Sequence, residues 1–442
     1  MPRYKASMFN RVVHDGSKMI IFNSLTGPAG IRYVSESAQK KLDDWEKGNF
    51  ESIDYDSTVF KDFLKCGFLV PTQCDEKELR DYYITNYMTS PRLHLVVHTT
   101  RNCNFRCTYC YMNHKNERIS KDVQDGIINY IRKNIHRYMS VHISWFGGEP
   151  LMEMGAIEYI SKEVIDICSK ASRPYTSSVT TNGYYLTPKN IETLLKCKVR
   201  NFHLTIDGTK ETHDKQRVLI DGSPTFDRII ENLLYIKNDV PTRALAVSIR
   251  TNMTKQHEST LSSYYDFYNS LFGDDGRFSL QVKPVADYGG DRVKAIENDL
   301  LPNMCCIYDS LSKLNGKIKF YWNMQDLSIG SSVCPSRMHN KYTIGCDGSV
   351  HKCDEDVGEI GEKPIGHLYS DGTMKLDEVA CAKWCYVRHR EQCDDCFFSM
   401  NCFMEGCPKV RVYRNENVCD IDFEEVDSLI AWAAKELNVE TI

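Results

Sequence analysis

The 442-residue sequence lacks any apolar run close to the roughly 18 to 20 residues that span a bilayer. Its start, MPRYKASMFNRVV, has neither the apolar stretch nor the small-residue cleavage site of a secretory signal. Both absences argue against a membrane partner and predict a cytoplasmic protein. A Lys/Arg block that would track a phosphate backbone is also missing, because the formal charge of −5 is spread along the chain, so no nucleic-acid partner is expected. Cysteine is abundant instead. There are 19, and ten of them fall between Cys334 and Cys419. Without a secretory signal, a reducing compartment is expected, where thiolates serve as metal ligands more often than they form disulfides.

Three blocks follow one another. Residues 1–88 read as a small α+β domain: Lys18 to Asn23 alternates like a strand after the turn His14-Asp15-Gly16-Ser17, Ser35 to Trp45 looks like a capped helix, and a second helix spans Ser57 to Cys66. From about residue 89 to 320, short apolar runs alternate with helical segments. Strands are predicted at Leu93–Thr99, Val141–Phe146, Ser177–Thr181, Asn201–Ile206, Leu245–Thr251 and Phe278–Val282. Helices fall between them, at 121–138, 157–170, 188–196, 226–237 and 257–271. This alternation predicts an α/β fold with a parallel sheet, and six strands favour a partial (β/α)6 TIM-like barrel whose chemistry gathers after the strand C-termini. Residues 321–442 are rich in Cys, Gly and Asp. Here bound metal is expected to replace part of the missing core. A hairpin is predicted over Lys341 to Cys353, and a closing helix over Phe423 to Leu437.

The first cysteine cluster, Cys103-x3-Cys107-x2-Cys110, follows the first predicted barrel strand. Three thiolates in one loop leave one iron of a four-iron cube without a protein ligand, and an open position marks a catalytic metal. A zinc loop completed by His114 is the alternative. With Phe146-Gly147-Gly148-Glu149-Pro150 ending the second strand, the sequence resembles the radical S-adenosylmethionine (SAM) superfamily. The resemblance implies that the loop's cluster delivers an electron to bound SAM, releasing methionine and a 5′-deoxyadenosyl radical. It also implies that Gly147, Gly148 and Pro150 lie against the methionine end of SAM and that Glu149 accepts from its ammonium. Thr181, Asn182, Arg250 and Asn252 end later strands at positions the family places near SAM, and Tyr109 has the place of a residue near adenine. For these, ordinary turn chemistry or core packing is the competing explanation.

The second array, Cys334, Cys353, Cys393, Cys396, Cys402, Cys407 and Cys419, resembles the SPASM extension of peptide and protein maturases, which holds two auxiliary 4Fe–4S clusters. By that resemblance Cys334, Cys353 and Cys407 bind one cluster, and Cys393, Cys396, Cys402 and Cys419 the other. Cys402-x4-Cys407 is one residue longer than the usual spacing. Cys346, placed near Cys353 in the predicted hairpin, is a candidate fourth ligand for the first set. A zinc ribbon over Cys393 to Cys407 is the alternative. Asp354, which follows Cys353, is a candidate general base, against a plain exposed carboxylate in Asp354-Glu355-Asp356.

The N-terminal block resembles, in size and order of elements, the winged-helix-like domain that captures the leader of a ribosomal precursor peptide by adding it as a strand. The function implied is oxidative modification of such a peptide, installing a thioether or carbon–carbon cross-link. It would use SAM, three 4Fe–4S clusters and an external reductant such as flavodoxin or ferredoxin. Formylglycine formation in sulfatases and non-catalytic electron transfer are the alternatives.

Overall fold

The computed structural model describes residues 3–47, 54–285, 291–301, 303, 305, 307–308, 324–357, 363–386, 390–416, 419 and 421–442. They fall into two compact units, one of residues 89–302 with 335–385 and the other of residues 1–88 with 303–334 and 386–442. The three consecutive blocks read from sequence are thus redrawn. The expected 320/321 boundary lies outside the described residues, and the C-terminal third is shared between the units.

In the first unit, β6 (Arg92–Thr100), β7 (Ser140–Gly147), β8 (Tyr175–Thr181), β9 (Val199–Thr205), β10 (Ala246–Met253) and β11 (Phe278–Pro284) pair in parallel in chain order. Each strand lies beside its sequence neighbour, which is the barrel-like order expected. The helices between them are α4 (Lys121–Asn134), α5 (Met154–Lys170), α6 (Pro188–Lys196), α7 (Lys210–Gln216), α8 (Phe226–Asp239) and α9 (Leu261–Phe272). Alternation along β6 shows why the sequence takes this form. Leu93, Leu95 and Val97 are all buried, whereas His94 and His98 occupy the opposite face. Helix α4 starts at Ser120, whose hydroxyl accepts from Val123 N, and it buries Val123, Ile127 and Ile131 on one stripe. Each fully buried isoleucine contributes about 1.5 to 3 kcal/mol.

The sheet does not end at β6. Strand β12 (Lys341–Ile344) pairs in parallel with β6, and β13 (Ser349–His351), β14 (Gly366–Leu368) and β15 (Met374–Leu376) continue it antiparallel. The predicted hairpin is present as β12–β13, but it satisfies the exposed edge of β6 rather than standing alone in a metal-dependent domain.

The other unit is α+β. Strands β2 (Asn10–Asp15), β3 (Lys18–Asn23) and β4 (Arg32–Val34) form an antiparallel sheet, and β1 (Tyr4–Ala6) pairs with β5 (Leu69–Pro71). Helices α1 (Glu36–Glu46) and α2 (Thr58–Lys65) are capped by Ser35 and Ser57, and α3 (Glu76–Met88) follows. Trp45, Phe60, Phe63 and Phe68 form the core, with rings edge-on at 5.7 to 6.1 Å. Thr441 bridges in parallel to Tyr33 at the β4 side of the sheet, and the expected closing helix spans Phe423–Glu436. Among the described residues no helix is long and apolar enough to cross a membrane.

Candidate active site

The cysteine loop leaves the C-terminal end of β6, where chemistry is expected in a β/α barrel. Cys103 and Cys107 are buried and Cys110 is half-buried. Backbone bonds hold the loop, Arg106 N donating to Val218 O at 2.8 Å and Thr108 N to Gln216 O at 3.0 Å. Burial pushes the Cys103 thiol up to about 12 and Cys107 up to about 11, so both are protonated in the bare chain and iron must displace their protons. Asn104 Nδ2 and Thr108 Oγ1 are buried in the same loop without a hydrogen-bond partner among the described residues. Buried thiols with unmatched polar atoms beside them in one loop suit a bound cluster. Among the described residues, no group of three or more His, Cys, Asp or Glu side chains is placed to hold a single metal ion. A zinc would need its sulfurs about 2.3 Å from one point. His114 Nε2 does lie 3.7 Å from Cys110 Sγ, and burial lowers its pKa to about 4, leaving a neutral imidazole.

Gly147, Gly148 and Glu149 have a task the sequence reading missed. Gly148 N donates to Thr100 O and Glu149 N to Asn102 O, both at 2.9 Å, so the segment is fastened to the cysteine loop. A Cβ on Gly148 would lie 2.1 Å from Asn102 O, and one on Gly147, at φ +118°, 2.3 Å from Thr100 O. In the bare chain the glycines are therefore required by loop packing. The Glu149 carboxylate is fully buried and turned inward. It accepts from Leu151 N at 3.0 Å, Thr181 Oγ1 at 2.7 Å and Asn182 N at 2.7 Å, which ties the end of β7 to the end of β8. Burial raises its pKa to about 7, against the pull of these three bonds. Pro150 starts the short turn that Glu149 caps. Asn182 Nδ2 donates to Asn104 Oδ1 at 2.8 Å and lies 3.8 Å from Cys103 Sγ.

Tyr109, Asp207, Arg217 and Asn252 join the middle of the loop to the ends of β9 and β10. The Tyr109 hydroxyl donates to Asp207 Oδ2 at 2.5 Å and accepts from Arg217 Nη1 at 2.8 Å and Asn252 Nδ2 at 3.0 Å. Asn252 N donates to Asp207 Oδ1 at 2.8 Å, and Arg250 Nε to Asn252 Oδ1 at 2.8 Å. Arg217 was not singled out from the sequence. Its guanidinium also lies over the Phe105 ring, 5.5 Å from the centroid, so a buried cation backs the loop from below.

Asp354 is a partner, not a plain exposed carboxylate. Lys341, whose side chain is fully buried, donates to Asp354 Oδ1, to Lys352 O and to Thr343 Oγ1, and Thr343 also donates to Asp354 Oδ1. Burial works against the Asp354 charge, but Lys341 and Thr343 hold its carboxyl below the usual range. The Asp354 side chain keeps 38% of its surface open, so this ionised group is reachable.

The auxiliary array is divided. Cys393, Cys396, Cys402 and Cys419 line one cavity of about 990 Å³ in the second unit. Cys334 and Cys407 belong to that unit and Cys353 to the other. The place expected for Cys346 is corrected. Thr343 pairs with His351, so Cys353 lies at the open end of the β12–β13 hairpin and Cys346 at its turn, roughly 15 Å away at about 3.3 Å per residue. The Cys346 thiol donates to His98 O at 3.2 Å, and burial, with Glu117 and Asp347 nearby, pushes it up to about 12.

Residues 97–267 match the family model described as Radical SAM superfamily. This segment is a radical SAM domain, a kind of domain that takes SAM and a 4Fe–4S cluster. Among curated proteins, the chain is 25% identical over 385 residues to a cysteine-type anaerobic sulfatase-maturating enzyme of Clostridium novyi, covering 78% of this chain and 97% of that protein. It is 24% identical to a serine-type anaerobic sulfatase-maturating enzyme of Bacteroides thetaiotaomicron, covering 71% and 81%. Among solved structures, native anSMEcpe with bound AdoMet and Kp18Cys peptide superposes with a TM-score of 0.56 at 17% identity, covering 79% of this chain and 99% of that one. The α/β fold with its large, mostly parallel sheet is shared.

Proposed function

We propose that this chain is a radical SAM peptide maturase that installs a thioether or carbon–carbon cross-link in a ribosomally made precursor. The observation that carries the reading is the pairing of two separate cysteine sets: the β6 loop of Cys103, Cys107 and Cys110, and the cavity of Cys393, Cys396, Cys402 and Cys419. When bound, SAM and the loop's cluster supply one-electron cleavage to methionine and a 5′-deoxyadenosyl radical, which takes a substrate hydrogen. Completing the oxidation requires that the substrate also give up a proton and an electron. Asp354, kept ionised by Lys341 yet open to its surroundings, is suited to accept the proton at Oδ2, which bonds to none of the described residues. The quartet is suited to hold an auxiliary cluster that receives the electron. Tyr109, Thr181, Asn182, Arg250 and Asn252 would frame SAM. Glu149 would act by fixing the segment that lines it.

A precursor leader would add to the β2–β3–β4 sheet along β2, since Thr441 already bridges to β4. About a fifth of this chain lies beyond the match to the Clostridium relative, which leaves room for such a recognition element. Sulfatase maturation is the second reading, supported by that relative being matched over 97% of its length. The test is anaerobic incubation of the reconstituted full chain with SAM, a reductant and a cysteine-containing precursor peptide. A loss of about two mass units per site with new inter-residue fragments supports cross-linking, whereas an aldehyde at a sulfatase Cys or Ser supports the second reading. Equal turnover of a leaderless peptide removes the leader role.

A further inference from the structure

The cavity that collects Cys393, Cys396, Cys402 and Cys419 also contains Arg390. This arginine is 8% exposed, and its Nε and Nη1 have no hydrogen-bond partner among the described residues. A buried guanidinium with two idle nitrogens is costly, so an anionic acceptor is expected beside it. Among the described residues no carboxylate bonds these two nitrogens: of those lining the cavity, Glu405 pairs with Arg411, Asp395, largely exposed, with Lys77 at 2.9 Å, and Glu391 is exposed. Position points the other way, toward the thiols. Arg390 O accepts from Cys393 N at 2.9 Å, and Arg390 Nη2 donates at 2.7 Å to Met404 O, which lies 4.0 Å from Cys393 Sγ. Arg80, from α3, reinforces the same corner by donating Nη1 to Cys393 O at 3.1 Å and Asp394 O at 3.3 Å.

Four thiolates around an oxidised four-iron cube carry a net charge of about −2, and hydrogen bonds to the sulfurs together with nearby charge set the reduction potential of such a cluster. We propose that Arg390 is the positioning cation of this auxiliary cluster, giving its Nε–H and Nη1–H to the cluster sulfurs and raising the potential at which the cluster accepts an electron. The proposal rests on the reading that the quartet holds iron and sulfide. A rigid planar fork suits two neighbouring sulfurs better than the point charge of a lysine.

The experiment is an EPR-monitored redox titration of the anaerobically reconstituted full chain as wild type, R390Q, R390K and C402A, with iron counted in each. C402A identifies the signal of this cluster by removing it. In R390Q that signal is expected to persist with its midpoint moved to more negative potential, in R390K to move part of the way, and in both the remaining clusters to stay at wild-type values. If R390Q fails to load, the midpoint is read on R390K. A loaded variant with every midpoint at the wild-type value overturns the proposal. Failure of the underlying reading looks different: C402A would then have the wild-type iron count and all wild-type signals.

Discussion

Glu149→Gln tests whether a charge in the wrong place for stability is kept for the architecture of the site. The carboxyl is fully buried, and its pKa rises from 4.5 to about 7 because burial penalises the charged form more than three hydrogen bonds recover. At about 1.36 kcal/mol per pH unit, that rise corresponds to about 3 kcal/mol. The sign follows from linkage: the folded state binds the proton more tightly than the unfolded one, so the contribution is complete below about pH 4.5 and lost as the pH climbs through 7. Glutamine keeps the shape and cannot ionise, but it puts an NH2 against Asn182 N–H or another of the three donors, at a cost of about 1 to 3 kcal/mol. The metal-free variant should therefore melt below wild type at pH 5 and draw level with it near pH 9. Paired anaerobic melts across that range are the assay. Parallel curves, with a constant gap between the proteins, would refute the buried-charge argument.

Gly148→Ala should empty the loop of iron while leaving the far-ultraviolet spectrum intact, since the added methyl meets Asn102 O at 2.1 Å and forces the cysteine loop off β7; an iron count with cluster absorbance checks this. Cys346→Ala should leave the iron count at the wild-type value and cost only the buried thiol's bond to His98 O, whereas Cys402→Ala should lower it. Lys341→Gln removes the cation that outweighs burial at Asp354, so the Asp354 pKa should rise. Product formation should then fall on the acid side of a profile that is flat in wild type at neutral pH, while 5′-deoxyadenosine release keeps its own profile.

The parts of the fold that are local in sequence were legible. Parallel strands with one apolar face and α4 with its stripe carry their periodicity within ten or fifteen residues, and caps such as Ser35, Ser57 and Ser120 mark helix starts. Pairings across hundreds of residues were not. Nothing in Lys341–Ile344 announces that it will cover the edge of β6, some 240 residues earlier, so the hairpin was assigned to the wrong unit. Cys346 was misplaced for a related reason. Closeness along a hairpin suggests closeness in space, but the register puts turn and open end apart. Arg217 carries no spacing signal, because it reaches Tyr109 from beyond the end of α7. For Glu149 the residue stands out in the sequence and its internal hydrogen-bond partners do not. A glutamate after two glycines reads as a ligand, and only the fold brings three donors onto it from inside.

The placement of Asp354 bears on the chemistry more than its identity does. A carboxylate beside a substrate radical must be ionised before it can take a proton, and burial alone would push it the other way. Adding β12 to the edge of β6 brings Lys341 into the sheet, and the hairpin then returns the chain so that Asp354 sits against it. The same sheet edge therefore supplies both the backbone partner that β6 needs and the cation that Asp354 needs. This also explains why residues 335–385 fold with the barrel while the quartet from Cys393 onward does not. On the proposed reaction, hydrogen abstraction and proton removal draw on residues of one unit, and electron acceptance on the cysteines and arginines of the other. Substitutions that disable the quartet should therefore leave SAM cleavage running without product, because the loop, Glu149 and the Tyr109 network are all built without it.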